Sequence, residues 1–274
     1  MKNPESVYQN LAVRLAKAYC LFPQVQAVGW AGSLKGGSTT DQGSDIDLCV
    51  YTTQPIPLKD RLDLVEQLGG ASWADMGLEY WGPGDEWFDA ATGIEVDVMY
   101  WEPAWMEGVL HQVLDEHRPS LGYTTSFWFT IQNSQILFDR SGWLAQLKQK
   151  YDRPYPEELR RAIINFNRVV LRDVIPGYRN QVEKAVKRAD LVSINHRVSA
   201  LIASYFDILF AFNRVPHPGE KRLIEQATRL CPRLPRNMAA QVETVLRCAG
   251  DTHARLVVEI DRLVDDLEAF LDEE

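Results

Sequence analysis

Two aspartates one residue apart, in an apolar segment, are the residues of this chain best suited to chemistry. Residues 44–50 read Ser-Asp-Ile-Asp-Leu-Cys-Val. Side chains of a strand alternate between faces, so Asp45 and Asp47 share one face and the aliphatic residues share the other. Two close carboxylates repel unless a cation lies between them. Mg²⁺ commonly binds one or two carboxylates together with substrate phosphates. Two solvated acids on an edge strand would show the same spacing, so the pair alone leaves both interpretations open.

A loop of small residues precedes the aspartate pair. Residues 25–31 predict a short buried strand, and Gly32 and Ser33 follow it. Glycine allows the backbone to approach a ligand closely, and successive N–H groups in such a turn form an anion-binding nest. The Ser33 hydroxyl adds a donor for a phosphate oxygen, and Ser44, directly before the pair, is a further nucleotide-binding candidate. Taken alone, the Gly-Ser pair would be an ordinary turn.

A third acid is expected on a neighbouring strand. In residues 92–100 the aliphatic residues alternate with Glu95 and Asp97, and the Thr-Gly pair at 92–93 predicts a hairpin. Glu95 and Asp97 share one face. Asp97 lies deeper in the apolar run, so it is the preferred third carboxylate, and Glu95 is the reserve choice.

In this order and spacing, these residues resemble the DNA polymerase β-like nucleotidyltransferase superfamily. Its signature is Gly-Ser, a spacer of about ten residues, Asp-x-Asp, and a later acid on a neighbouring strand. Here eleven residues separate Gly32-Ser33 from Asp45-Ile46-Asp47, and Asp97 follows. The resemblance covers about the first 100 residues. Within the superfamily, the chain looks most like the antibiotic nucleotidyltransferases, which attach a helical domain to the catalytic sheet.

The resemblance implies a role for each motif residue. Gly32 and Ser33 would contact a triphosphate, and Asp45 and Asp47 would bind Mg²⁺, with two ions expected. Asp97 would be a metal ligand, a general base, or both. The co-substrate would be ATP or another nucleoside triphosphate.

The implied reaction moves a nucleoside monophosphate, AMP in the case of ATP, to a hydroxyl of an acceptor. A small molecule such as an aminoglycoside is the preferred acceptor. The alternatives are a hydroxyl of a protein or a tRNA end, and an antitoxin-like binding module that keeps the fold without catalysis.

Composition limits the partners and the location. The 274 residues carry 29 basic and 38 acidic side chains, a net charge of −9. This balance argues against extended nucleic-acid binding, which needs a basic surface, and it suits a cationic acceptor. The four cysteines lack metal-site spacing, no signal peptide opens the sequence, and no apolar run reaches a membrane span. We therefore expect a cytoplasmic protein without membrane contact, either a monomer or a homodimer.

The hydrophobic pattern predicts an α+β protein of two domains. Residues 1–152 would form the nucleotidyltransferase domain, a mixed sheet flanked by helices, and residues 153–274 a helical bundle. The boundary is the Asp-Arg-Pro-Tyr-Pro segment at 152–156. Within the bundle, Lys221 is a candidate for contacting the triphosphate, although a solvated surface lysine is an equal alternative. Four tryptophans surround the third strand, and packing is the preferred interpretation for most of them; they are Trp73, Trp81, Trp87 and Trp101.

Overall fold

The computed structural model describes residues 4–32, 45–250 and 253–273. Within it the chain divides into two compact units. The first unit comprises Met1–Leu110 and Thr130–Arg153, and the second comprises His111–Phe129 and Pro154–Glu274. Each unit has its own apolar core.

The first unit is built on a mixed sheet. Its strands in the described residues are β1 (Val25–Trp30), β2 (Ile46–Thr52), β3 (Ala71–Leu78), β4 (Gly84–Asp89), β5 (Glu95–Trp101) and β6 (Gln135–Asp139). The order across the sheet is β3-β4-β5-β2-β1-β6. The central pair β2 and β5 is parallel, and the other neighbouring pairs are antiparallel.

In the described part of the chain, five helices lie before residue 151. They are α1 (Pro4–Tyr19), α2 (Leu58–Gln67), α3 (Pro103–Leu114), α4 (Ser126–Asn133) and α5 (Trp143–Lys150). Helix α3 begins with a proline, whose missing N–H would have no partner in the first turn in any case.

One face of the sheet forms the core of the first unit. Ile46, Leu48 and Val50 of β2 are almost completely buried, as are Val96 and Val98 of β5. They join one cluster with apolar residues of α1 and α2. Because side chains alternate along a strand, this packing directs the aspartates of β2 and β5 to the opposite face.

The second unit is helical in its C-terminal part. Its helices are α6 (Glu157–Arg172), α7 (Tyr178–Lys187), α8 (Leu191–Phe212), α9 (Leu223–Leu230), α10 (Met238–Gly250) and α11 (His253–Leu271). Asp190 caps α8 by accepting a hydrogen bond from the Ser193 N–H at 3.1 Å. The C-terminal half of α8 is buried on all sides, which makes α8 the central helix of this unit.

The α+β class predicted from the sequence is confirmed. The two units differ in two respects from the division at residues 152 and 153. Arg153 belongs to the first unit, and residues 111–129 cluster with the helical unit. Two polar contacts tie this segment to the helices. The Gly122 N–H donates to Asn167 Oδ1 at 3.1 Å, and the Thr124 N–H donates to Asp207 Oδ1 at 3.1 Å. Contacts between residues so distant in sequence leave no local signal.

Candidate functional site

The two strands that carry the predicted carboxylates lie side by side. In the parallel pairing of β2 and β5, Asp47 and Asp97 are direct partners. Both side chains are half-buried. Adjacent strands are about 4.8 Å apart, and directly paired residues point to the same face of a sheet. The register therefore places two acidic side chains next to each other on the face that is opposite the apolar core.

The row of acids continues across the sheet. Glu86 of β4 is the direct partner of Asp97, and Asp75 of β3 is the direct partner of Glu86. Like charges directly opposite each other destabilise a sheet. Four carboxylates in successive partner positions therefore create a strong attraction for cations on this face. The sequence analysis did not single out Glu86 or Asp75, because their importance depends on strand register alone.

Asp45 lies immediately before β2 and is half-buried. It precedes Asp47 by two residues in the sequence. Glu95, the reserve choice, is paired with Phe88 of β4. Asp97 is thus the acid directly beside Asp47, and its selection over Glu95 remains a prediction about function.

Gly32 follows β1 and approaches the carboxylate of Asp47. The Ala31 N–H donates to the Asp47 main-chain oxygen at 2.9 Å. Gly32 has φ +92°, a conformation that favours glycine. A Cβ at this position would overlap with Oδ2 of Asp47 and would lie 3.3 Å from its Cγ. The backbone angle therefore favours glycine here, and a larger residue would also displace the Asp47 carboxylate.

Cys49 reports the charge on this face. Burial, together with the nearby charges of Asp47 and Asp97, raises the pKa of its thiol to about 12. At neutral pH the thiol is therefore protonated, which excludes Cys49 as a thiolate nucleophile.

The donor set suits magnesium in its chemistry. Carboxylate oxygens are the ligands that Mg²⁺ takes from proteins, and the register supplies them from neighbouring strands. Over residues 4–32, 45–250 and 253–273, no three His, Cys, Asp or Glu side chains are already grouped so that they could hold a metal ion.

The other candidates from the sequence have different positions. Ser33 and Ser44 lie outside the described residues. Lys221 belongs to the second unit, where it is exposed in the turn before α9. Among the tryptophans, Trp87 is buried, but Trp73 and Trp81 are 66% and 84% exposed. The packing interpretation was therefore wrong for these two, which lie in β3 and in the turn that follows it.

The second unit contains a buried polar cluster that the sequence analysis missed. Asp207 accepts hydrogen bonds from the Thr124 hydroxyl at 2.6 Å, from the Thr124 N–H at 3.1 Å and from Asn167 Nδ2 at 3.2 Å. Burial raises the pKa of Asp207 to about 7, although these donors act in the opposite direction. The carboxyl group is therefore close to half-protonated at neutral pH.

His217 is completely buried in the same unit. The main-chain N–H of His217 donates to the Thr125 hydroxyl at 2.8 Å, and the ring Nδ1 accepts a hydrogen bond from the Gly219 N–H at 3.1 Å. Burial lowers the pKa of the imidazole to about 3, so the ring is neutral. Since Nδ1 accepts a hydrogen bond, the proton of the neutral ring is on Nε2.

Three comparisons relate the chain to known proteins. Residues 123–223 match the model of a family described as a domain of unknown function, DUF4037. This range includes the buried cluster around Asp207 and His217. No curated protein matches the chain.

A solved structure extends the comparison to nearly the whole chain. The chain is similar to the 1.90 Å crystal structure of a nucleotidyltransferase-like protein from Exiguobacterium sibiricum 255-15. The sequences are 14% identical, the match covers 99% of this chain and 75% of that chain, and the TM-score is 0.42.

Proposed function

We propose that the chain is a metal-dependent nucleotidyltransferase that moves the nucleoside monophosphate of ATP, or of another nucleoside triphosphate, to a hydroxyl group of an acceptor. One observation carries this proposal: Asp47 and Asp97 are direct partners on adjacent parallel strands. Neighbouring carboxylates attract a cation, and Mg²⁺ bound by one or two carboxylates commonly also binds substrate phosphates.

The protein groups have separate tasks in the reaction. Asp45, Asp47 and Asp97 would hold Mg²⁺, and Gly32 would keep the backbone close enough for its neighbours to face the phosphates. When bound, the metal supplies positive charge that neutralises the triphosphate and favours deprotonation of the acceptor. Ser33 and Ser44, which lie outside the described residues, are proposed as phosphate donors from their place in the sequence.

The bond changes define the products. The acceptor oxygen forms a bond to the α-phosphorus, and the bond from the α-phosphorus to the oxygen that bridges to the β-phosphorus breaks. Pyrophosphate leaves with the electron pair of that bond. The proton of the acceptor hydroxyl moves to the carboxylate of Asp97, which acts as general base. Catalysis then depends chiefly on positioning and on charge neutralisation.

The acceptor is proposed to be a small cationic molecule of the aminoglycoside kind. The net charge of −9 opposes an RNA acceptor. Glu86 and Asp75 extend the acidic row beyond Asp97 toward the edge of the sheet. An amino group on the acceptor would gain electrostatic attraction from this row.

A labelled-substrate assay tests the proposal. The protein is incubated with Mg²⁺ and ATP labelled at the α-phosphate, in the presence of either an aminoglycoside panel or fractionated cell extract. Transfer of label to a small product, with release of pyrophosphate, supports a small-molecule acceptor. Label on protein or tRNA supports the macromolecular alternative. Absence of transfer, combined with absence of Mg²⁺-dependent ATP binding, supports a non-catalytic module and refutes the proposal.

A further inference from the structure

A cavity of about 220 Å³ lies in the first unit, away from the row of acids. Residues from three places line it: the segment from Thr52 to Arg61, the β3–β4 turn, and the end of β5 at Tyr100–Glu102. Trp101 follows Asp97 by four residues, so the cavity is roughly 13 Å along β5 from the acid row. Its volume corresponds to roughly seven water molecules at about 30 Å³ each.

A buried ion pair fixes one wall of this cavity. Asp85 is completely buried and accepts hydrogen bonds from Arg61 Nη1 at 2.5 Å, from the Tyr100 hydroxyl at 2.7 Å and from the Gly77 N–H at 2.7 Å. Arg61 Nε also donates to the Ile56 main-chain oxygen at 3.1 Å. Residues held by several hydrogen bonds lose little freedom when a ligand binds, so the cavity is preorganised.

The charges around the cavity favour a cation. Arg61 forms a salt bridge with Asp85, so the negative charge of Asp85 offsets the positive charge of Arg61. The remaining charged residues of the lining are Glu79 and Glu102, both exposed. Their two carboxylates leave a net negative potential at the cavity, which is accessible to solvent from their side.

The uncharged part of the lining is largely apolar. Its apolar residues include Pro55, Ile56, Leu78 and Pro83. An apolar wall combined with a few polar groups is the usual composition of a small-molecule site.

We propose that this cavity binds a small organic amine, with its ammonium group paired to Glu79 and Glu102 and its apolar body against Ile56 and Leu78. The site is separate from the acid row, so it does not depend on the nucleotidyltransferase proposal. It would be a second ligand site on the same unit.

Phenethylamine is a suitable probe, because it joins an ammonium group to an apolar ring of the size of the cavity. Titration calorimetry with the full chain, without nucleotide, measures its dissociation constant. The neutral analogue 2-phenylethanol and the anionic analogue 3-phenylpropionate are titrated in parallel. We expect the amine to bind at least about tenfold more tightly than either analogue, because two carboxylates face it.

Matched variants locate the binding. Glu79→Gln and Glu102→Gln should each weaken amine binding by about fivefold, the scale of a solvent-exposed ion pair. Glu66→Gln, which removes an exposed acid of α2 that does not line the cavity, should leave binding unchanged. Leu78→Ala, at an apolar residue of the lining, should weaken binding of the amine and of the alcohol together.

Three results would each contradict amine binding in this cavity. Equal binding of the amine and the alcohol, or no amine binding at millimolar concentration, would overturn the proposal. Equal weakening in the cavity variants and in Glu66→Gln would also overturn it, because the effect would then reflect net charge alone. The three glutamates are exposed, so these substitutions leave the packed core intact.

Discussion

Asp97 of β5 is the direct register partner of Asp47 of β2, and Glu86 of β4 is the direct partner of Asp97. Three carboxylates therefore occupy successive positions across the centre of the sheet. The aliphatic residues that alternate with the acids in β2 and β5 are buried in the core on the other face. A shift of the β2–β5 register by one residue would separate the acids and expose apolar side chains, so the core itself maintains the arrangement.

The first prediction concerns Gly32. Gly32→Ala should reduce nucleotidyl transfer on the order of 100-fold, because the new Cβ would displace the Asp47 carboxylate. The positive φ adds about 1–2 kcal/mol of destabilisation. Gly93→Ala is a matched control, since Gly93 also has a positive φ, while a Cβ there meets nothing within 4 Å. Urea denaturation should show similar destabilisation in both variants, with activity lost only in Gly32→Ala. Equal activity in the two variants would contradict the account.

The second prediction distinguishes the candidates for the third carboxylate. Asp97→Asn should lower kcat on the order of 10²–10³-fold, because it removes the acid beside Asp47. Glu95→Gln, which changes the acid opposite Phe88, should lower kcat by less than about tenfold. The transfer assay with α-labelled ATP measures both. A larger loss in Glu95→Gln than in Asp97→Asn would assign the role to Glu95 instead.

How far the sequence could predict the site depends on the kind of contact. The alternation around Asp45 and Asp47, and the Thr-Gly turn before Asp97, are local patterns, and both correspond to strands in the structure. The place of Glu86 opposite Asp97 is a matter of pairing between strands, which no local pattern encodes. Strand β3 also escaped prediction, since its sequence Ala-Ser-Trp-Ala-Asp-Met-Gly-Leu lacks alternation and most of the strand is exposed.

Residues 126–133 show the same limit in the helices. Their aromatic and β-branched residues are typical of strands, so the sequence did not distinguish a strand from a helix, yet the segment forms α4. Lys148 of α5 contributes to the helical outcome, because its Nζ donates to the main-chain oxygens of Ile131, Gln132 and Ser134 at 2.7–2.9 Å. A cation that binds the last carbonyl groups stabilises a helix end. This interaction depends on a residue that is far along the chain, so the segment alone could not reveal it.

The third prediction concerns Lys221. If its ammonium group binds the triphosphate, Lys221→Ala should raise the KM for ATP about tenfold and change kcat less, because a hydrogen bond to a charged group contributes about 1.5–3 kcal/mol. Arg229→Ala, which removes another exposed cation of the same region, should leave the KM unchanged. Steady-state kinetics at saturating acceptor give both constants. Equal KM values for the two variants would show that Lys221 does not bind the triphosphate.

The fourth prediction concerns pH and Asp207. Its pKa of about 7 in the folded protein exceeds the value of about 3.9 in an unfolded chain. The folded state therefore retains a proton that the unfolded state loses, and the contribution of Asp207 to stability falls as the pH rises from about 4 to 7. Asp207→Asn should remove this dependence. The stability of the variant relative to wild type should rise with pH by up to about 1.4 kcal/mol per unit.

His217 acts in the opposite direction. Its pKa of about 3 lies below the unfolded value of about 6.5, so its contribution is lost as the pH falls below about 6.5. The two residues partly cancel in wild type, which makes the Asp207→Asn difference the informative quantity. Urea denaturation at pH 4.5, 5.5, 6.5 and 7.5 measures it. Asp272→Asn, at an exposed acid, is the control for the change in net charge. If the stability difference between Asp207→Asn and wild type did not vary with pH, Asp207 would be ionised over this whole pH range.

The binding of ATP and Mg²⁺ tests the central claim most directly, because it requires no knowledge of the acceptor. Titration calorimetry of the wild-type chain should show ATP binding that depends on Mg²⁺. Asp47→Asn should weaken this binding at least about tenfold, and Glu95→Gln should bind like wild type. ATP binding that is independent of Mg²⁺, or that Asp47→Asn leaves unchanged, would contradict the assignment of the aspartates to a metal-assisted triphosphate site.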